Sequence, residues 1–417
     1  MKQSAIFFLI IILASCYSTS KVSNQNLSYL YWKESSILHP KCRAFHKSDS
    51  VTVIYCQISP KELLFIREDS KGKFLSHYQI HYNLYPSYES KELLDSAGFN
   101  FFLERPKTRS GIINSFEIST PNVGKYLLEI LTTDVKRKQT ARTYLSIDKS
   151  TINNRQTFMV CGDEDNSPLF RNYFHKKETI KFKHNNPEHE NYRLNYYKQD
   201  HDIAPPPFSV IQQKPINTLS DSFAEVKVLE DGMAYLSFDK LGTYHLNSNM
   251  GNGEGIAFFR FSDGFPGVTM PEEMIGPLRY ITTKREYSEM SLFDDKKLAV
   301  DNFWLNITGN PDRGRKMIKQ FYTRVTASNI YFSSYLEGWK SDRGMIYIVY
   351  GPPDVVYRNT SAENWIYGEE GNLMSVNFTF YKRDNSLSDN DYRLNRSAIY
   401  KNSWYLAVDA WRQGIIY

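Results

Sequence analysis

Up to residue 264 the apolar positions recur mainly with period two, and helical spacing of three to four residues appears only beyond it. The clearest alternation sets Tyr78, Ile80, Tyr82 and Leu84 against Gln79, His81 and Asn83, which predicts a strand with one buried face. β-branched and aromatic runs at 51–55, 63–66, 126–131 and 143–147 predict further strands. Turn signals at Lys71-Gly72-Lys73 and Pro121-Asn122-Val123-Gly124 separate them. Runs at 158–160, 179–182, 192–197, 223–229, 233–238 and 256–261 repeat the pattern. Short strands broken by frequent turns suit antiparallel sandwiches. The chain is expected to be mostly β with a C-terminal α+β module. Two tandem β-sandwich-like domains, 27–150 and 151–264, precede that helix-plus-small-sheet module.

Pro266, Pro271 and Pro277 punctuate a linker expected over 265–279, and helical spacing follows. Leu298, Phe303, Trp304 and Ile307 form one stripe that Gly309 stops. Asn310-Pro311 then reads as a cap residue with proline at the first helical position. Met317, Ile318, Phe321, Tyr322 and Val325 form a core-facing stripe, with Arg315, Lys319 and Arg324 expected in solvent. Next comes Gly338-Trp339-Lys340-Ser341-Asp342-Arg343-Gly344, which reads as an aromatic anchor and a polar turn. The β-branched and aromatic run 345–350 predicts a buried strand, stopped by Gly351-Pro352-Pro353-Asp354. Runs at 363–367 and 376–381 predict strands that pair with it. Trp404, Val408 and Trp411 share a face of a last helix over 403–412, capped by Gly414.

The 338–354 stretch resembles the GWxTD domain, found in a family of bacterial envelope proteins, with Ser341 where the family has Thr. Asp301, Phe303-Trp304, Pro311-Asp312, Gly314-Arg315 and Phe321-Tyr322 match the same pattern in order. The resemblance covers 280–417. It implies kinship with envelope proteins and brings no settled chemistry with it.

The first residues add a compartment. Met1-Lys2-Gln3 is a short cationic start, and 6–13 is an apolar core too short to span a bilayer permanently. Leu13-Ala14-Ser15-Cys16 looks like a bacterial lipobox, which makes 1–15 a signal peptide, Cys16 a lipidation site and 16–26 a polar tether. Related bacteria with such lipoproteins often mark surface export with acidic residues just after the cysteine; none lies between Tyr17 and Asn26, so the resemblance implies an outer-membrane lipoprotein facing the periplasm. Asp49-Ser50-Val51 and Asp95-Ser96-Ala97 are similar to a three-residue O-glycosylation pattern of the phylum in which the family is common, which singles out Ser50 and Ser96.

Composition narrows the functions. At 417 residues, 41% hydrophobic and 23% charged, the chain has enough apolar side chains for several cores. The net charge of +5 is spread along the sequence, without the clustered basic face that nucleic-acid binding needs. Of the four cysteines, three remain after Cys16. Cys42 and Cys56 could close a loop worth about 3 kcal/mol as a disulfide, while all three equally suit small buried positions. His77 and His81 would pair on a metal if helical, but on a strand they sit roughly 13 Å apart. No nucleophile-elbow, zinc-helix, phosphate-loop or Cys–His signature occurs, and no cofactor or metal is expected. Gly251-Asn252-Gly253-Glu254-Gly255 reads as a hairpin loop.

Two classes of function remain. One is a lipid-anchored, non-catalytic binding or assembly component of an outer-membrane or secretion-related complex, with an envelope protein as its partner. The other is an envelope hydrolase acting on polysaccharide or peptide through module carboxylates such as Asp301, Asp312, Asp342 and Asp354, with Arg313 or Arg343 nearby. Two convergent carboxylates in a cleft would favour the second.

Overall fold

The computed structural model describes residues 20–415 apart from 68–71, 107–110, 121–122, 165, 187–190, 199–200, 212–218 and 248–254. The expected signal peptide, Cys16 and most of the 251–255 loop therefore lie outside the described residues. The first part of the chain forms β1 (Lys41–His46), β2 (Val51–Ile58), β3 (Ile66–Arg67), β4 (Phe74–Tyr85), β5 (Asp95–Glu104), β6 (Ile112–Ser119), β7 (Lys125–Asp134) and β8 (Gln139–Asp148). β1, β5 and β6 fall outside the expected runs, and of the run 63–66 only Ile66 is strand. One sheet runs β1-β2-β6 and the other β3-β4-β7-β8, with β5 paired to β4. Their facing sides share one core, in which Ile54 and Phe116 meet Tyr78, Ile80 and Ile130.

A second sandwich follows: β9 (Phe158–Gly162), β10 (Thr179–His184), β11 (Asn191–Lys198), β12 (Ser222–Lys227), β13 (Ala234–Ser237), β14 (Gly242–Asn247) and β15 (Ile256–Arg260). Sheets β13-β10-β9 and β12-β11-β14-β15 enclose Phe158, Phe182, Tyr192, Phe238 and Phe258. The two sandwiches meet where Phe45 and Tyr55 pack on Met159 and Cys161, and where Arg43 Nη1 donates to the Leu169 carbonyl at 2.6 Å.

The C-terminal module contains α1 (Pro271–Leu278), α2 (Lys284–Leu292), α3 (Lys296–Thr308), α4 (Pro311–Phe332), α5 (Asp342–Tyr350), α6 (Lys401–Arg412) and one antiparallel sheet. That sheet runs in chain order through β16 (Val355–Arg358), β17 (Ala362–Tyr367), β18 (Val376–Lys382) and β19 (Tyr392–Leu394). Trp304, Phe321 and Trp411 meet edge-on at its helical end, and Trp365, Phe378 and Phe380 line its sheet end.

Several expectations need correction. Residues 345–350 are not a strand but most of α5, and β16 takes the expected place beside β17. Residues 342–349 are buried on every side of the helix, so their apolar run shows no amphipathic period. Arg324 is buried rather than solvent-facing, and the 265–279 segment contains α1. The described part of the tether is docked: Val22 is buried, and Asn26 Nδ2 donates to the Asp354 carbonyl at 3.1 Å. Leu27 and Tyr31, assigned to the first sandwich, sit in the module core instead.

The second sandwich and the module share two strands. Tyr244, Leu246, Ile256 and Phe258 point into the sandwich core. From the opposite faces, Ala257 and Phe259 join Phe261, Phe265, Tyr335, Leu336 and Leu387, and Thr243 Oγ1 donates to the Tyr335 carbonyl at 3.3 Å.

Two buried histidines tie this framework to pH. His46 Nε2 donates to the Asp148 carbonyl at 2.8 Å, which leaves Nδ1 to accept from Thr52 Oγ1 at 2.9 Å. Burial pushes His46 and His245 down to about 4, with Arg155 adding to the effect at His245. An unfolded histidine takes its proton near 6.5, so the unfolded chain binds protons first as pH falls. Stability is then full above about 6.5 and declines toward about 4, by roughly 3 kcal/mol for each histidine. The urea midpoint at about pH 4.5 is expected to lie well below that at about pH 7; an unchanged midpoint would contradict the neutral, buried state of both rings.

Candidate functional site

The matched motif sits where three backbone segments converge. After α4 ends, Gly338–Lys340 forms a 3-10 turn and Ser341 caps α5. Ser341 Oγ accepts from the Gly344 N–H at 3.0 Å and donates to the Gly338 carbonyl at 2.7 Å. A serine does this as a threonine would, because only the hydroxyl is used. A Cβ on Gly338 would lie 1.9 Å from the Ser328 carbonyl oxygen, and one on Gly344 would lie 1.9 Å from that of Gly338. Neither position has room for a side chain.

Trp339 is half-buried rather than a core residue. Its N–H donates to Asn329 Oδ1 at 3.1 Å, while its ring lies against Gly276 of α1 and edge-on to Tyr280. The turn projects the indole toward α1, where it packs at the edge of the module core. Lys340 pairs with Glu337 at 2.8 Å, and its carbonyl accepts from the Ala204 N–H at 3.0 Å.

The charged motif residues are spent on the interior. The Asp342 side chain is 0% exposed. Its oxygens accept from Arg396 Nη2 at 2.5 Å, Arg396 Nη1 at 3.1 Å and the Leu394 N–H at 2.8 Å. It thereby pins the start of α5 to the end of β19, a longer reach than a local turn cap. Arg343 reaches Glu363 Oε1 at 3.1 Å and the Asn390 carbonyl at 3.0 Å, with its guanidinium 4.0 Å from the centre of the Tyr392 ring.

Glu363, also 0% exposed, gathers more. Arg358 pairs with it at 2.6 Å, Tyr31 donates at 2.8 Å and Trp365 Nε1 at 3.1 Å. Burial opposes its ionisation, but Arg358 and Arg343 outweigh burial and hold the carboxyl below its ordinary value. Burial pushes the Tyr31 hydroxyl upward. Two arginines around one carboxylate make a closed, hydrogen-bonded ionic cluster. The sequence reading missed it, although Glu363 and Trp365 stand two apart on one strand face, where a buried Trp implies a buried Glu.

The far end of α5 is closed too. Arg324 Nη1 donates to the Ile348 and Val349 carbonyls, each at 3.2 Å, and Trp411 Nε1 to Val349 at 2.9 Å. A cation at a helix C-terminus is favourably placed. Gly351 ends the helix and its carbonyl accepts from Tyr367 at 2.8 Å; Pro352 and Pro353 follow. Asp354 is exposed and Oδ2 accepts from the Gly368 N–H at 2.7 Å, a loop clamp.

The other named residues are dispersed. Asp301 pairs with Lys297 and Asp312 with Arg315, while Arg313 Nη2 donates to the Gly414 carbonyl at 2.8 Å, beyond the end of α6. Among the described residues no three His, Cys, Asp or Glu gather as a metal would require. Ser50 is exposed between β1 and β2, and Ser96 is exposed on β5. A cleft of about 490 Å³ lies where the N-terminal segment, the first sandwich and the small sheet meet. Ser23, Asn24, Glu89, Tyr357, Arg358, Asn359 and Asn364 line it. It carries one carboxylate, Glu89, whose oxygens accept from the Thr360 N–H and Oγ1, each at 2.8 Å.

Residues 242–413 match the model of the GWxTD domain. The chain carries a GWxTD domain. The match starts at β14, ahead of the helices, where β14 and β15 bury one face against the module. No curated protein matches. Among solved structures, the crystal structure of CBD12 from CALX1.2 is similar at 11% identity over 48% of this chain and 75% of that one, with a TM-score of 0.13. Overlap that small carries no argument about fold or function.

Removing Asp342 leaves Arg396 partly buried without its carboxylate, so Asp342→Ala is expected to cost about 3–5 kcal/mol. That exceeds the about 1 kcal/mol of a local cap. Glu363→Gln, which strands two guanidinium groups, belongs in the same range. Asp354→Ala is expected to cost about 1 kcal/mol at most. Chemical denaturation of the four proteins checks the ranking; an Asp342→Ala protein as stable as wild type would refute the pinning role.

Proposed function

We propose that this protein is a lipid-anchored component of a bacterial cell envelope that works by binding and assembly rather than by catalysis. The carrying observation is the state of the motif charges: Asp342, Arg343 and Glu363 are buried and satisfied by Arg396, Asn390, Arg358 and Tyr31. A group so buried and engaged is not placed to meet a substrate. The GWxTD domain then serves as a rigid base, and its outer surfaces and the two sandwiches meet the partner.

The anchor geometry agrees with this reading. Five residues lie between Cys16 and docked Val22, so at most about 22 Å of chain joins them. Acylation at Cys16 holds the domain close to the lipid surface, in the outer membrane and facing the periplasm. A Cys16→Ala protein is expected in the soluble fraction or unprocessed; a processed, membrane-bound mutant would sink the anchor.

Catalysis is tested separately through Glu89, the carboxylate of the cleft. Glu89→Gln is expected to fold and to restore a deletion strain fully. A folded Glu89→Gln protein that fails to restore it would overturn the non-catalytic reading. Modification at exposed Ser50 and Ser96 adds hexose mass to the mature chain, and an unmodified intact mass disposes of it.

A further inference from the structure

Cys42 and Cys56 occupy directly opposed positions of β1 and β2. Their Sγ atoms lie 2.8 Å apart and face the first sandwich core, where Cys56 is fully buried. On the other faces of the same strands, Arg43, Phe45 and Tyr55 point toward the second sandwich. Cys161 lies on that side, packed with Phe45 and Met159, and its Sγ donates to the Asn166 carbonyl at 3.3 Å. Side chains alternate across a strand, so the sheet itself separates Cys161 from the pair.

We infer that Cys42 and Cys56 form a native disulfide and that Cys161 stays a thiol. The inference rests on the envelope reading in one respect, the need for an oxidising compartment. The oxidant is an external disulfide, as carried by a thiol–disulfide exchange protein. The half-buried Cys42 thiolate attacks one sulfur of that disulfide, forms a mixed disulfide and expels the first thiolate. Cys56 then gives up its proton and attacks the Cys42 sulfur, expelling the second. Two protein thiols become one disulfide while the external disulfide becomes two thiols. The hydrogen bond with Cys42 and burial push the Cys56 thiol up, which suits it to the second step rather than the first.

The crosslink has a mechanical consequence. β1 is an edge strand, paired to β2 alone in its sheet, and its outer face carries the joint between the sandwiches. Covalent closure prevents that edge from peeling away with Arg43 and Phe45 attached.

The test uses the full chain, acid-quenched and alkylated as it leaves the cell, then mapped by non-reducing peptide mass spectrometry. A peptide pair joining Cys42 to Cys56, with Cys161 alkylated, is expected. Reduction is expected to lower the melting temperature of wild type and of Cys161→Ala by several degrees but not that of Cys42→Ala. Three alkylated thiols in freshly quenched protein, or any crosslink through Cys161, would overturn the inference. A second arm treats purified, reduced protein with oxidised glutathione. Failure of Cys42 and Cys56 to pair there refutes the geometry itself. Pairing there, with reduced thiols in the cell, refutes the native crosslink and counts against the oxidising compartment. A crosslinked protein that is not membrane-bound leaves the disulfide standing and removes only the anchor.

Discussion

Helix α5 has no face toward water, so every charge and every terminal backbone group on it must be satisfied inside the protein. Most of the module's polar architecture follows from that constraint. Ser341 closes the first turn, Asp342 and Arg343 find Arg396 and Glu363, and Arg324 with Trp411 closes the last turn. Each answer recruits another element: α4 through Arg324, α6 through Trp411, β17 through Glu363, and the segment after β19 through Arg396. The helix is short, and its position is set by polar closure at both ends as much as by its apolar sides.

The same constraint draws in the distant N-terminal segment. Glu363 completes its shell with Tyr31, whose carbonyl in turn accepts from Tyr347 of α5 at 2.9 Å. The first described residues of the chain therefore pack in the core of its C-terminal module. On the other side, β14 and β15 have apolar residues on both faces, one set for the sandwich and one for the module. A GWxTD domain cut out at its helices would lose the apolar surface that covers Tyr335 and Leu336. The start of the family match at Gly242 follows the packing more closely than the sequence change at 265 does.

Some strands were readable where one face was wet, although β5 and β6, which also have a wet face, were not picked out. Tyr78 to Leu84 alternates because β4 has a core side and a solvent side, and the same holds for β18. α4 was equally legible from its stripe and its Asn310-Pro311 start. α5 was not, since a run buried all round carries no period and its Ile and Val residues favour a strand on propensity alone. Arg324 was misplaced for a related reason. An arginine on an amphipathic helix is normally at the surface, and only the approach of the α5 carbonyls gives it reason to be inside. Tyr31 and Glu363 lie 332 residues apart, a pairing that no local pattern encodes.

The matched motif is therefore a set of packing conditions. Two positions admit no Cβ, one needs a hydroxyl at a helix cap, one an aromatic ring against α1, and one a carboxylate opposite Arg396. Each condition is met within the fold, so the motif fixes a shape. The cleft lined by Arg358, Ser23 and Glu89 draws on the N-terminal segment, the first sandwich and the small sheet together. Its form depends on Glu363 holding Arg358 below and on Thr360 holding Glu89 beside it. In that way the buried ionic cluster sets the geometry of an open surface.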